Sequence, residues 1–221
     1  MVDSVRAEPA PRRRRRREDS EQEILEAAER LLRQRPFREL TVDDLMAATS
    51  QSRTAFYRHF TGRQDLLIRL LSDLNQELWE VSEGWFQGGG EDPLAEAREA
   101  LERLAGVYQA HGPVLLAMAE AAHHDDEVER VYGALVQGFA DGVVARLERD
   151  AAAGRASVPN PAEVAAALVW MTERQLAVTY GRRDTGPGER AAVVEALYTI
   201  WTRTLYGADP GLSRSASPGS G

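Results

Sequence analysis

Apolar residues recur at spacings of three and four along almost all of residues 20–206, and no stretch alternates with period two between hairpin signals. That periodicity points to an all-α fold. Breaks at Pro36, Thr49-Ser50-Gln51, Thr61-Gly62, Gly88-Gly89-Gly90, His111-Gly112-Pro113, His123-His124-Asp125, Val158-Pro159-Asn160-Pro161 and Gly186-Pro187-Gly188 divide it. The segments between them predict nine helices, at about 20–35, 41–48, 52–59, 63–86, 93–110, 112–123, 125–153, 161–181 and 188–206.

The longest apolar runs fall well short of the ~20 residues a membrane helix needs, and no apolar segment follows the basic N-terminal run as in a secretory signal. A cytoplasmic protein without membrane contact is expected. Cysteine is absent, which excludes disulfides, thiolate metal sites and a cysteine nucleophile. Four regions follow. Residues 1–19, with Arg12 to Arg17 adjacent, read as a disordered arm. Residues 20–66 form a small N-terminal domain, residues 67–207 a larger one, and the Ser-, Gly- and Pro-rich 208–221 a disordered tail.

Charge is informative by position. The chain carries −8 overall, yet residues 1–70 hold 15 Arg against 12 acids and the remainder 12 Arg against 23 acids. Lys does not occur. Within the first domain, Ser20 with Glu23 is a candidate cap for the first helix, and Thr41 with Asp44 for the second. Two short helices separated by a three-residue break have helix-turn-helix spacing. The second carries Ser52, Arg53, Thr54, Tyr57, Arg58 and His59, with Arg63 just beyond and no acid between Arg53 and Arg63. Arginine forks, hydroxyls and a phenol are the groups that contact base edges and phosphates. An ordinary solvated face would also contain them. Phe56 and Phe60, four apart, should face inward.

The stretch TVDDLMAATSQSRTAFYRHFTGRQDLLIRLL, Thr41 to Leu71, resembles the DNA-binding domain of TetR-family transcriptional regulators. Residues 163–207, with Met171-Thr172-Glu173-Arg174 and Ile200-Trp201, are similar to the C-terminal part of the EthR-like subgroup. The resemblance implies a two-domain fold and assigns DNA contacts to Thr41, Gln51, Ser52, Arg53, Thr54, Tyr57, Arg58, His59 and Arg63. Three places depart from the family, one of them Thr54-Ala55, which replaces a pattern with Thr one position later. Ser50 replaces its usual turn glycine, where a left-handed backbone would cost a non-Gly residue about 1 kcal/mol. Gln51 replaces an apolar residue. The resemblance also implies an elongated apolar pocket lined by Tyr108, Tyr132, Phe139, Val143, Val169, Trp170, Thr172, Leu176 and Trp201. Val169 and Thr172 stand where relatives offer two amides, so a more apolar pocket is expected.

The last two segments carry apolar residues over more than one face, among them Met171 and Val178 in one and Val193 and Ile200 in the other. Burial against a second copy, giving a homodimer, accounts for that. No catalytic constellation appears, and no cofactor or metal is expected. His123 to Glu127 reads as a helix start rather than a metal site. The expected function is a ligand-responsive regulator, a repressor released from a palindromic operator in double-stranded DNA by a small hydrophobic effector. The competing reading is an all-helical small-molecule binding or interaction protein without a DNA role. The arm would either track phosphates or only solubilise the chain.

Overall fold

The computed structural model describes residues 11–88, 92–181 and 186–207. Among them are eight α-helices and no strand: α1 Pro11–Leu32, α2 Val42–Ala47, α3 Arg53–His59, α4 Arg63–Gln87, α5 Pro93–Ala121, α6 Asp126–Ala152, α7 Pro161–Tyr180 and α8 Pro187–Tyr206. A short 3-10 turn, Phe37–Glu39, links α1 to α2. The count differs from nine because the fifth and sixth predicted segments are one helix. Gly112 and Pro113 lie inside α5, and residues 112–119 are all buried. A Cβ on Gly112 would stand 2.6 Å from the Tyr180 carbonyl oxygen. The dipeptide read as a break is therefore the place where α5 meets α7 backbone to backbone, and that burial outweighs the ~3 kcal/mol cost of an interior proline.

The N-terminal boundary also moves. Residues 11–19, expected to be disordered, continue α1 outward. Arginine is a good helix former, and the run from Arg12 to Arg17 is helical. The expected disorder of residues 1–10 and 208–221 lies outside the described residues, as does the linker 89–91. Ser20 is consequently inside the helix and caps nothing; its hydroxyl donates to Gln51 Oε1 at 2.8 Å.

One hydrophobic core runs through the described residues. At its N-terminal end are Ile24, Leu25 and Ala28 of α1, Leu45 of α2, Phe56 of α3, Phe60, and Leu66, Leu67 and Leu70 of α4. The remainder joins the far half of α4 to α5, α6, α7 and α8. At its distal end Arg146 is buried with its guanidinium shared among three helices. Its Nε donates to Asp150 Oδ2 at 2.7 Å, and its Nη1 to Glu96 Oε2 at 2.8 Å and to the Trp85 carbonyl at 2.5 Å. Asp150 also accepts from Arg155 at 2.7 Å and from the Tyr206 hydroxyl at 3.0 Å. Burial works against the Asp150 charge, but the hydrogen bonds from Arg146, then Arg155 and Tyr206, prevail and hold its carboxyl below the usual range. Gly88, with φ 60°, ends α4 beside this cluster, and a Cβ there would lie 2.8 Å from Arg146 Nη1.

Candidate nucleic-acid interface and ligand cavity

α2 and α3 are short, so their caps and tertiary anchors decide their geometry. Thr41 opens α2 with a reciprocal box: Asp44 N–H donates to Thr41 Oγ1 at 3.1 Å, and Thr41 N–H donates to Asp44 Oδ2 at 2.8 Å. The Thr41 hydroxyl, then Arg35 at 2.8 Å, hold the Asp44 carboxyl down to about 2. Ser52 caps α3 by accepting from Ala55 N–H at 3.2 Å. Ala55, Phe56 and Phe60 turn into the core, with the two phenylalanine rings 5.3 Å apart.

That anchoring leaves Ser52, Arg53, Thr54, Tyr57 and Arg58 exposed on the opposite side of α3, with Thr41 exposed at the start of α2. Arg53 is held across the turn by Asp43 of α2 at 2.7 Å and lies 5.9 Å from the Tyr57 ring centre. Asp43 is 73% exposed, an acid on the same surface that the α3 sequence alone conceals.

Three of the proposed DNA contacts point elsewhere. His59 has no exposed side-chain surface and faces Glu21 at 3.5 Å; burial lowers its imidazole below the usual range. Arg63 donates to the carbonyls of Phe37 (3.2 Å) and Leu40 and stacks on the Phe37 ring, fixing the 3-10 turn to α4. Gln51 is half-buried. Its Nε2 donates to Glu23 Oε2 at 2.6 Å, and its Oε1 takes the Ser20 hydroxyl.

Glu23 also accepts from Ser50 N–H at 2.6 Å and the Ser50 hydroxyl at 3.0 Å. The Ser50 amide, followed by the Gln51 side chain, lowers the Glu23 carboxyl. Among the described residues only Asn160 has positive φ without being glycine, so the left-handed strain expected at Ser50 does not arise. The turn is fastened to α1 by hydrogen bonds in place of the glycine and the apolar contact. Ser50, Gln51 and Glu23 are thus one polar unit in place of two isolated departures.

Between α4, α5, α6, α7 and α8 lies a cavity of ≈ 90 Å³, several times the space one water needs. Seven of the nine expected residues line it: Tyr108, Tyr132, Phe139, Val143, Val169, Thr172 and Trp201. Leu176 is fully buried but does not line it, and Trp170 is 46% exposed, with its ring edge-on to that of Tyr132 at 6.2 Å between centres. Trp201 Nε1 donates to Thr172 Oγ1 at 2.8 Å and its ring packs edge-on to Trp85 at 5.6 Å. Trp79 and Phe139 stack with ring centres 4.6 Å apart, and the Phe86 ring is tilted against both.

The sequence reading missed Leu78, Ser82, Trp85 and Phe86 of α4, and it missed Glu173. A signal for Glu173 existed: it shares the inner stripe of α7 with Val169, Thr172 and Leu176 at helical spacing.

Residues 24–70 match the model for bacterial regulatory proteins of the tetR family, and residues 97–207 the model for the C-terminal domain of the transcriptional regulator EthR. The chain belongs to the EthR branch of the TetR family. The EthR regulator of Mycolicibacterium smegmatis is 27% identical over 198 residues, covering 89% of this chain and 91% of the relative. That of Mycobacterium tuberculosis is 29% identical over 200 residues, covering 88% and 90%. In fold, PfmR of Thermus thermophilus superposes with a TM-score of 0.68 at 22% identity, covering 81% of this chain and 97% of that one. Salmonella enterica GusR does so at 0.68 and 15% identity, covering 85% and 95%. The protein is therefore a ligand-responsive DNA-binding transcriptional regulator. No helix among the described residues is long and apolar enough to cross a membrane.

Asp125 caps α6, accepting from Glu127 N–H at 3.2 Å and Val128 N–H at 3.0 Å, and His123 Nδ1 lies 2.7 Å from the Ala119 carbonyl oxygen. Both residues are thereby engaged in closing one helix and starting the next.

Proposed function

We propose that this regulator is a homodimeric repressor, cytoplasmic and without enzymatic activity, that leaves a palindromic operator when a small hydrophobic effector fills the cavity. The observation that carries the reading is the continuity of α4. The helix leaves the Phe56–Phe60 anchor at Arg63 and presents Leu78, Ser82, Trp85 and Phe86 to the cavity. Packing in the cavity and placement of α3 are thus set by one element. An effector that favours a different α4 setting lowers DNA affinity by its preference for that conformation.

Arg53, Thr54, Tyr57 and Arg58, with Ser52 and Thr41, form the proposed DNA surface. Arg53 would exchange Asp43 for a phosphate or a guanine edge. Val178 of α7 and Ile200 of α8 remain 54% and 42% exposed, which supports a partner copy on those two helices.

Selection of bound sequences from a random duplex pool, followed by mobility shift on the enriched duplex, tests the proposal. An inverted repeat should emerge. The double variant Arg53→Ala, Arg58→Ala should weaken binding at least about 100-fold while thermal unfolding stays unchanged. A pool that enriches no inverted repeat, or a double variant that binds like the wild type, would overturn the palindromic operator and this reading surface.

A further inference from the structure

The polar atoms around the cavity divide into two sets. Those of Ser82, Thr172 and Trp201 are engaged within the protein: the Ser82 hydroxyl donates to the Leu78 carbonyl at 3.0 Å, and Trp201 Nε1 to Thr172 Oγ1 at 2.8 Å. Glu173 Oε1, the Tyr132 hydroxyl and Trp85 Nε1 are buried without a hydrogen bond of good geometry; the Tyr132 hydroxyl is near enough to the Glu173 carboxyl to act on it as a weak donor, and no other described residue does. Glu173 is 8% exposed and is the one lining residue with a carboxyl, in a wall that is otherwise mainly aliphatic and aromatic.

Buried carboxyls without partners are rare because the desolvation cost is large. Glu173 lines the cavity, so an occupant able to donate a hydrogen bond to its carboxyl would supply the missing partner. Tyr108 of α5 and Tyr132 of α6 are the ionisable groups facing Glu173 from other helices, and Arg174 is its neighbour on α7, exposed on the outer side. Burial, and after it the Glu173 charge, raises both phenols. Burial likewise raises the Glu173 carboxyl against the opposing pull of Tyr132 and Arg174. The cavity thus combines an acceptor, two electron-rich rings and an apolar body.

We propose that the cavity selects a lipophilic amine, a protonated nitrogen on an apolar body, with the nitrogen donating to Glu173 Oε1 beside the rings of Tyr108 and Tyr132. This rests on the cavity being the effector site and specifies the effector's chemistry. An ammonium gives the carboxylate a charge-assisted hydrogen bond and the rings a cation to face. A neutral alcohol supplies a weaker bond, and an anionic ligand meets a second carboxyl in the same apolar volume.

The test uses the full chain without DNA and reads the fluorescence of Trp85 and Trp201, which line the cavity, with calorimetry for affinity. The probes are octylamine, octan-1-ol and octanoate at pH 7.5. Octylamine should bind at least about tenfold tighter than octan-1-ol, with octanoate weakest. Glu173→Gln should erase the amine's advantage over octan-1-ol, because the amide oxygen still accepts from either probe but carries no charge. Glu173→Leu, with its fold checked by circular dichroism, should likewise lose the amine preference, which guards against a defect peculiar to the Gln variant. Equal affinities in the wild type, octanoate as the tightest probe, or an amine preference that survives Glu173→Gln overturns the proposal alone. Absence of binding by all three probes overturns it together with the cavity's role as effector site.

Discussion

Two buried carboxylates, Asp150 and Glu173, stand in the same helical body with opposite histories. Asp150 is fully buried and receives Arg146, Arg155 and Tyr206, so its charge is favoured. Glu173 is nearly as buried, has an oxygen without a partner, and its charge is disfavoured. Burial is common to both and cannot distinguish them; the donors around each set the direction. The Asp150 region is a closed joint that holds the ends of α4 and α5 to α6 and α8. The Glu173 region is the unsatisfied part of a cavity. The difference teaches where this protein spends polar atoms on rigidity and where it leaves them available.

The largest expected effect lies in the joint. Asp150→Asn leaves the Arg146 guanidinium buried without its main partner, and should cost about 3–5 kcal/mol in denaturant unfolding. A loss below about 1 kcal/mol would show that Glu96 and the Trp85 carbonyl suffice, and the contrast would fail. The cavity should respond in the opposite sense. Glu173→Gln removes an ionisable group from apolar surroundings and should stabilise the ligand-free protein by about 0.5–2 kcal/mol at pH 7.5. A destabilised variant would mean that the carboxylate already has a compensating partner.

The sharpest discrimination is in acid. The native Asp150 carboxyl is lowered, so its stabilisation is complete above about pH 4 and is lost as pH falls through the native value. The native Glu173 carboxyl is raised, so its contribution is complete below about pH 4 and declines as pH rises from there. Thermal unfolding from pH 4 to pH 8 should show the gain from Glu173→Gln growing with pH and vanishing near the acid end. A gain independent of pH would assign it to packing instead.

The sequence made some of this legible and hid the rest for one reason, the distance between partners. The Thr41–Asp44 box and the Phe56–Phe60 anchor lie within a single turn of helix and were read correctly. Of the nine pocket positions that the family resemblance implies on the later helices, seven line the cavity, and Trp170 and Leu176 do not. Ser20 and Glu23 also have the spacing of a box, but their partners are Gln51 and Ser50, about thirty residues along the chain. Gly112-Pro113 carries the signature of a break, and only the approach of Tyr180 from α7 explains why the helix continues. Arg146 reaches residues 50 and 61 positions away, which no local window contains. His59 and Arg63 have the composition of DNA contacts and the surroundings of structural residues.

The length of α4 has a geometric consequence. Its residues Arg63–Gln87 span about 37 Å at 1.5 Å per residue. If the helix pivots near Trp85, an inclination of about 10° at the cavity moves the Arg63 end by roughly 6 Å, about half the width of a major groove. A void that admits only a small ligand can therefore misalign a reading head much larger than itself, because angle at one end becomes distance at the other.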